Sequence, residues 1–296
     1  MDIDIYVENR WSFREAREYT LKLLLPFLTE AGVRFRILDR AEPPPRDPAD
    51  AAFLHIDLTD VPRAFTGLHT RYDRVINGHA LTIRRTLYST ARVARDTTWQ
   101  GPVIAKTVLN SGGYPELHYR KNRSLQSRLL HEWRRLSTPH YKAQICPPYA
   151  VYDAADRVPD SVWRDERMIV ERFLPGNLNL PVEKCRYSFM FDTELNLRST
   201  YDDLLCHPAK VLSTELIADV PEPVRRVRRE RRLDYGAIDY FMVDGAAIVV
   251  DANKTVCTTP AWVTQYQSVA DYIDRLAATL IAFARGDRAI GTAAST

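Results

Sequence analysis

The sequence of 296 residues is long enough for one large domain or two modest ones, and a hydrophobic content of 45% is ample for a buried core. A net charge of +3, from 41 basic and 38 acidic residues, is too small to indicate a nucleic acid or a membrane surface as the partner. The four cysteines have no short paired spacing, which argues against a zinc knuckle and against a disulfide framework.

The sequence shows no apolar signal segment at its start, and nowhere do about 18 apolar residues run together. We therefore expect a soluble, unexported protein that works in the cytoplasm with reduced thiols. Its partners must be inferred from individual sites, because the bulk charge is uninformative.

The first 78 residues carry the pattern of a small α/β domain. A helix is predicted over 11–30, and no Gly-x-Gly-x-x-Gly motif follows the first apolar run. A dinucleotide-binding domain is therefore not indicated, although a Rossmann-like sheet of related shape fits over residues 1–78. The expected strands lie at 3–7, 34–38, 52–56 and 74–76.

A lysine lies inside an otherwise apolar strand in the next part of the chain. A helix is predicted over 80–93, and the strand at 102–108 then leads from Lys106 into the small-residue loop at 110–113. Burying an unpaired ammonium is costly, so Lys106 is expected to have a partner, and the loop can bind phosphate oxygens through its backbone N–H groups. The alternative is an edge-strand lysine that reaches water before an ordinary turn.

Three further predicted strands carry charged side chains. The apolar strand at 168–174 has Glu171 in its middle, and the strands at 184–191 and 197–201 carry one arginine each toward a common site. These arginines are Arg186 and Arg198.

Basic residues are concentrated at 119–142 and 225–232, and the apolar residues of both segments have helical spacing. We interpret both segments as helices whose arginines face water, with RNA binding as the alternative function. A closing helix is expected from Pro260 to Phe283, and a disordered tail at 287–296.

The stretch 233–255 is predicted to be a β-hairpin with oxygen ligands along one face. Two runs rich in β-branched and aromatic residues flank Asp244-Gly245, which is a strong hairpin signal. Asp251 and Asn253 share a face because they are two residues apart. If Asp239 joins them, the set suits Mg²⁺; the alternative is an ordinary polar strand end.

The turn decides whether Asp239 joins that set. An unbulged two-residue turn pairs Asp239 with Val250 and turns it away from Asp251, whereas a three-residue loop at 243–245 with a G1 bulge pairs it with Val249 and gathers the carboxylates. We predict a hairpin with such an odd-length loop or a bulge, because the opposite face then becomes a continuous apolar stripe. The stripe comprises Ile238, Tyr240, Met242, Ala246, Ile248 and Val250.

Taken in order, these features resemble the ATP-grasp superfamily. The resemblance rests on PVIAKTVLNSGG, MIVERFLPG and LDYGAIDYFMVDGAAIVVDANKT, and it covers about residues 80–285. The spacing of Asp239, Asp251 and Asn253 is similar to that in D-alanine:D-alanine ligases and RimK-like relatives. The last motif is the most specific of the three.

The resemblance implies an α/β and α+β chain, with a Rossmann-like pre-ATP-grasp domain before a two-lobed ATP-grasp domain at 79–286 and a lid subdomain at about 100–173. ATP and Mg²⁺, with Mn²⁺ as an alternative metal, would bind between the lobes. The residues implied in nucleotide binding are Arg84, Lys106, Ser111, Gly112, Gly113, Glu171, Phe173 and Leu174. The residues implied in metal binding are Asp239, Asp251 and Asn253. The residues assigned to the transferred phosphoryl group are Lys254, Arg186 and Arg198.

Most members of the superfamily join a carboxylate to an amine through an acyl phosphate, so the resemblance implies an ADP-forming ligase. Its partners would be ATP, a small-molecule or peptide carboxylate and an amine, without membrane or nucleic acid, and a homodimer is an open option. Ala237 departs from the family because the ligases have arginine there, and the segment 175–181 lacks the usual ribose-binding acid, so Asn177 or Asn179 would take that role. A kinase and a non-catalytic nucleotide-binding protein are the alternatives. Cys257 follows the metal motif as either a substrate-facing thiol or an inert buried one.

Overall fold

The computed structural model describes residues 2–10, 13–14, 18–39, 49–121, 125–137, 147–174 and 180–287. Some sequence predictions fall outside these residues: the tail beyond Asp287, the Pro175-Gly176 turn, and the ribose contacts assigned to Asn177 and Asn179. None of the helices in the described part of the chain combines the length and apolar character that a membrane crossing requires.

The N-terminal part forms a parallel four-stranded sheet with one helix. Two of its strands are buried on both faces, and continuous apolar runs of this kind are typical of a covered parallel sheet. The strand order is β2-β1-β3-β4. The four strand predictions hold, and the predicted helix is confirmed over Thr20–Glu30, whereas Glu18 and Tyr19 before it are not helical. The elements are β1 (Asp2–Val7), α1 (Thr20–Glu30), β2 (Arg34–Leu38), β3 (Ala51–His55) and β4 (Arg74–Ile76).

A small antiparallel sheet follows, with three α-helices among the described residues of this part. The strand that carries Lys106 is the central one of three, in the order β6-β5-β7. Strand β5 pairs with β7 in a register that places Glu171 opposite Ile104, so Glu171 and Lys106 lie on the same face. The elements are β5 (Val103–Thr107), α2 (Tyr114–Lys121), α3 (Leu125–Ser137), β6 (Ala150–Tyr152), α4 (Asp160–Arg164) and β7 (Met168–Arg172).

The helix predicted over 80–93 is wrong. The structure has only a short 3-10 turn at Arg85–Leu87 in this segment, and the residues on either side form turns and isolated bridges. Backbone bonds join Val93 to Val170 on the small sheet and Thr90 to Val249 on the large one. The apolar spacing that imitates a helix therefore belongs to a connection packed between two sheets.

The C-terminal part is built on an antiparallel five-stranded sheet in the order β10-β9-β8-β11-β12. The hairpin expected at 233–255 lies at one edge of this sheet, and β8 pairs with its first strand. The closing helix is divided in two at Tyr266. The elements are β8 (Val182–Met190), β9 (Thr193–Tyr201), β10 (Val211–Leu216), α5 (Glu222–Glu230), β11 (Tyr235–Val243), β12 (Ala246–Asn253), α6 (Pro260–Gln265) and α7 (Gln267–Arg285).

The arginine-rich helix α5 is present, but not all of its arginines face water. Val224 and Val227 are buried against the sheet, as the amphipathic pattern predicts. Arg225 and Arg228 both form ion pairs of 2.9 Å with Glu194. Two of the basic side chains therefore hold the helix onto β9, which the composition of the run alone does not reveal.

The hairpin turn has two residues, so the predicted three-residue loop is wrong. Val243 pairs with Ala246, and Asp244 and Gly245 have φ values of 49° and 80°, which fits a primed turn. The bulge lies farther along, where Asp239 pairs with Asp251 and Tyr240 pairs with Val249. Val250 is the extra residue. The two carboxylates consequently share a face, as predicted, although by a different route.

The predicted apolar stripe is correct only at its first two positions. Ile238 and Tyr240 are fully buried, whereas Met242 is 48% exposed. In the first half of β12 the buried positions are Ala247 and Val249, one residue away from the expected ones. The displacement follows directly from the shorter turn, because a one-residue change of register exchanges the two faces of a strand.

The largest core joins the first and last parts of the chain. Apolar side chains of β1, β3 and α1 pack in one cluster with α7 and with the side chains of β9 and β11, as Phe53, Tyr235 and Leu276 illustrate. The predicted boundary at residue 78 therefore lies between segments that share a core. The division into domains stays a prediction.

Candidate active site

A cavity of about 230 Å³ lies between the small three-stranded sheet and the large five-stranded sheet. Its polar lining contains four cations and three carboxylates, and its apolar lining comes from Ile104, Phe173, Leu174, Leu204, Leu205, Phe241 and Val250. The charged residues are Arg85, Lys106, Arg172, Lys184, Glu171, Asp239 and Asp251. Side chains predicted from four separate segments are thus brought together at one place.

Lys106 has the buried partner that its position requires. Its ammonium lies 2.5 Å from Glu171 Oε2, and Lys106 is only 9% exposed, so the edge-strand alternative is excluded. Burial lowers the pKa of Lys106, although the Glu171 carboxylate opposes that effect. Glu171 Oε1 has no hydrogen-bond partner among the described residues. One oxygen therefore binds the lysine and the other can accept a hydrogen bond from a ligand.

Asp239 occupies the centre of a charged row that crosses three adjacent strands. Lys184 Nζ on β8 lies 3.1 Å from one of its oxygens, and Arg186 Nε lies 3.1 Å from the other. Burial by itself raises the pKa of Asp239, but Arg186 and Lys184 outweigh it and hold the pKa below the ordinary value. This carboxylate is consequently ionised at neutral pH.

Asp251 is held through one oxygen of its carboxylate. Tyr88 donates to Oδ1 at 3.0 Å, and Arg85 Nη2 lies 3.1 Å from the same oxygen. Asn253 Nδ2 lies 3.5 Å from Oδ2, which is a weak contact that leaves this oxygen available. The tyrosine also accepts from the backbone N–H of Ala252, so the side chain and the strand are fixed together.

Asp239, Asp251 and Asn253 form a small set of oxygen donors on one side of the hairpin. Within the described residues, no group of three or more histidine, cysteine and acidic side chains is placed to hold a metal ion. Two carboxylates and an amide oxygen are nevertheless the donor types that Mg²⁺ takes when water and phosphate complete its coordination. The chemistry of the set therefore fits Mg²⁺ that arrives with a polyphosphate.

Eight residues predicted for the site do not line the cavity: Arg84, Ser111, Gly112, Gly113, Arg186, Arg198, Asn253 and Lys254. Arg84 is on the outer surface, where it forms an ion pair of 2.6 Å with Asp60. Arg198 is bound to Glu215 at the exposed side of β9. The sequence could not show which of the adjacent Arg84 and Arg85 turns inward, because that depends on the 3-10 turn that replaces the expected helix.

Lys254 is another of these residues, and it points toward the N-terminal part of the chain. It is 1% exposed and donates to the Thr59 carbonyl at 3.3 Å. Burial lowers its pKa to about 8, against the opposing effect of nearby carboxylates, of which Asp57 is the strongest. Lys254 therefore ties the end of β12 to the segment that follows β3.

The small-residue loop has the left-handed backbone that its composition suggests. Ser111, Gly112 and Gly113 have φ values of 46°, 68° and 83°, and α2 begins at the next residue. The loop does not line the cavity. Its first residue, Asn110, is fixed to the N-terminal part of the chain through a bond of 2.7 Å to Thr59 Oγ1. The lid role of the loop stays a prediction.

The sequence analysis missed several residues that line the cavity. Lys184 carries a recognisable signal, since it lies two residues before Arg186 and therefore on the same face of β8. Tyr149 and the Leu204–His207 segment carry none, because loops supply them. Cys206, and not Cys257, lines the cavity, and Cys257 is exposed.

No protein-family model matches the chain, and no curated protein sequence matches it. Among solved structures, the ATP-grasp ligase PsnB aligns with this chain at a TM-score of 0.56 and 12% identity, over 95% of this chain and 98% of that one. In that structure PsnB is complexed with a phosphomimetic variant of minimal precursor, Mg and ADP.

Two more distant matches have TM-scores of 0.44. They are D-alanine–D-alanine ligase from Bacillus anthracis, at 12% identity over 95% of this chain and 98% of that one, and the macrocyclase MdnC from Microcystis aeruginosa MRC bound with precursor peptide MdnA, at 11% identity over 94% and 100%. Similarity at this level supports no conclusion about this chain. The alignment with PsnB spans nearly the whole of both chains, and the resemblance seen in the sequence is confirmed at the level of structure: this chain has the ATP-grasp fold.

Proposed function

We propose that this protein is an ATP-dependent carboxylate-amine ligase that binds Mg-ATP in the cavity between its two lobes. The observation that supports this most strongly is the meeting of four cations and three carboxylates in one cavity with apolar walls. When a polyphosphate and a divalent cation bind, the phosphates can pair with the protein cations and the metal can pair with the carboxylates, so no charge is left unpaired.

The nucleotide contacts follow from the two ends of the cavity. At the small sheet, the unpaired Oε1 of Glu171 is an acceptor for the adenine amino group, and the backbone at Phe173 and Leu174 borders the same apolar space. Lys106 is assigned to the phosphates, and it would turn from Glu171 toward them. Arg85 takes the place that the sequence gave to Arg84.

Asp239, Asp251 and Asn253 are assigned to the metal. When bound, Mg²⁺ would offset negative charge on the transferring phosphoryl group. In the nucleotide-free chain, Lys184 and Arg186 compensate the charge of Asp239. We assign the phosphoryl group to these two cations, because both contact Asp239 whereas Arg198 is bound to Glu215 at the exposed side of β9.

In the proposed reaction, a substrate carboxylate attacks the γ-phosphorus of ATP and ADP leaves. The amine then attacks the acyl phosphate carbon and displaces inorganic phosphate, which forms the amide and releases a proton. The protein contributes by positioning the reactants, supplying cations and excluding water. PsnB is complexed with a precursor, so peptide carboxylates belong among the substrates to be tried alongside small molecules.

Incubation with ATP, Mg²⁺ and pooled amino acids and peptides tests the proposal, with nucleotides, phosphate and products separated afterwards. ADP and free phosphate in equal amounts with a condensed product are expected. ADP with a phosphorylated product would instead identify a kinase. Binding of Mg-ATP without turnover across the pool would leave a nucleotide-binding protein.

A further inference from the structure

Arg85 is almost completely buried, and its contacts extend beyond the cavity that it lines. It is 3% exposed, and three consecutive carbonyl oxygens accept hydrogen bonds from it. Its backbone N–H donates to Val108 at 3.3 Å, and its Nη1 donates to Thr107 at 2.9 Å and to Leu109. These carbonyls end β5 and lead directly into the loop at 110–113.

The other end of the same guanidinium reaches the large sheet. Arg85 Nη2 lies 3.1 Å from Asp251 Oδ1. A single planar group thus joins the residue before the small-residue loop to a carboxylate of the hairpin. The nearby Tyr88 fixes the same carboxylate oxygen without any bond to the loop.

The connection that carries Arg85 strengthens this link. Thr90 is bound to Val249 on β12 through its backbone N–H, and the N–H of Arg172 on β7 donates to Ala91. The segment is therefore bonded both to the five-stranded sheet and to the three-stranded sheet. Arg85 Nε remains without a hydrogen-bond partner in the described part of the chain. A buried guanidinium with an unsatisfied donor is costly, which favours a role beyond stability.

We propose that Arg85 is a positioning residue that fixes the start of the loop at 110–113 to Asp251. It thereby links the carboxylate assigned to the metal with the loop that the sequence resemblance implies in nucleotide binding. This inference rests on the proposed function for its consequence, but the mechanical link is a property of the nucleotide-free chain. By linkage, metal binding at Asp251 and ordering of the loop must influence each other equally.

Hydrogen exchange of the amides at 109–113 tests the link in the free chain. Arg85→Lys keeps the charge, but one ammonium cannot hold the carbonyls and Asp251 together. Loss of one charge-assisted bond corresponds to exchange about tenfold faster. Arg84→Lys is the matched control, because Arg84 is exposed and bound to Asp60, and it should exchange like the original chain.

Tyr88→Phe separates the two ends of the link. It removes the other donor to Asp251 and leaves the loop carbonyls untouched, so loop exchange should stay unchanged. Equal loosening in Arg85→Lys and Tyr88→Phe would overturn a specific role for Arg85. Wild-type exchange in Arg85→Lys would do the same.

Mg-ADP supplies the second part of the test. Its addition should slow loop exchange in the original chain and in Arg84→Lys, but much less in Arg85→Lys. If Arg85→Lys does not fold, Asp251→Ala cuts the link from its other end and should speed loop exchange in the free chain, where metal binding plays no part; unchanged exchange would contradict the proposal. If the original chain does not bind Mg-ADP, the proposed function fails, whereas exchange in the free chain still decides the role of Arg85.

Discussion

Asp239 and Asp251 are direct cross-strand partners on the hairpin. Their pairing depends on one extra residue, Val250, which also presents its carbonyl to Lys106 at 3.5 Å. The bulge thus aligns two carboxylates and brings the edge of the large sheet toward the small one. A hairpin without it would separate the two acids onto opposite faces.

Replacing Asp251 with Asn should reduce turnover by about 100-fold or more, because an amide supplies no negative charge to the metal. Thermal stability should change little, since the amide oxygen still accepts from Tyr88 and Arg85. ADP release and thermal unfolding measure the two effects. Retention of full activity would show that the metal assignment is wrong.

Lys106→Ala should weaken Mg-ADP binding and also destabilise the fold. The substitution leaves Glu171 buried without its cation, which costs about 3–5 kcal/mol. Adding Glu171→Gln should restore much of the stability but not the affinity. Calorimetric titration and urea unfolding separate these outcomes; unchanged nucleotide affinity in Lys106→Ala would contradict the phosphate role.

Gly236→Ala should impair the metal motif although Gly236 lies outside it. A Cβ at this position would lie 2.3 Å from the Asn253 carbonyl oxygen, so the backbone of β12 must move. We expect a higher Mg²⁺ requirement for turnover together with lower stability. Gly245→Ala is the control: its Cβ meets nothing within 4 Å, and only its positive φ costs about 1 kcal/mol. An equal Mg²⁺ requirement in both variants would contradict the expectation.

His55 should make the protein sensitive to mild acid. It is buried among the rings of Phe13, Tyr19 and Phe53, and burial lowers its pKa to about 3. At pH values between the folded pKa and the unfolded pKa of about 6.5, His55 is protonated in the unfolded chain and neutral in the folded chain, so stability falls as the pH falls.

The resulting loss for His55 is about 2 kcal/mol between pH 7 and pH 5. His55→Phe should remove this part of the pH dependence while filling the same space. Urea unfolding of both proteins at the two pH values gives the comparison. Identical pH dependence in both would show that His55 is not buried as a neutral ring.

The sequence predicted the hairpin, the acid pair and the partner requirement of Lys106, because each follows from local pattern and charge. It did not predict the position of the bulge. A bulge at Val250 and a bulge in the turn both gather Asp239 and Asp251, and the choice depends on neighbouring strands that the hairpin sequence does not contain.

The error at residues 80–93 has a similar cause. Helical spacing of apolar residues arises there because the segment touches a sheet on each side, as the bonds of Thr90 and Val93 show. Without that context, the orientation of Arg84 and Arg85 could not be assigned. Tertiary contacts, not local propensity, decide both features.

The core shared by β1 and α7 has a consequence for the synthesis of the chain. Ile3 and Ile5 are translated long before Ile273 and Leu276 of the helix that packs in the same core. The first sheet must therefore keep an uncovered apolar face on the ribosome until α7 has emerged. Its folding in the cell should depend on chaperones that bind such surfaces, and premature stops before α7 should yield aggregates in place of a stable N-terminal fragment.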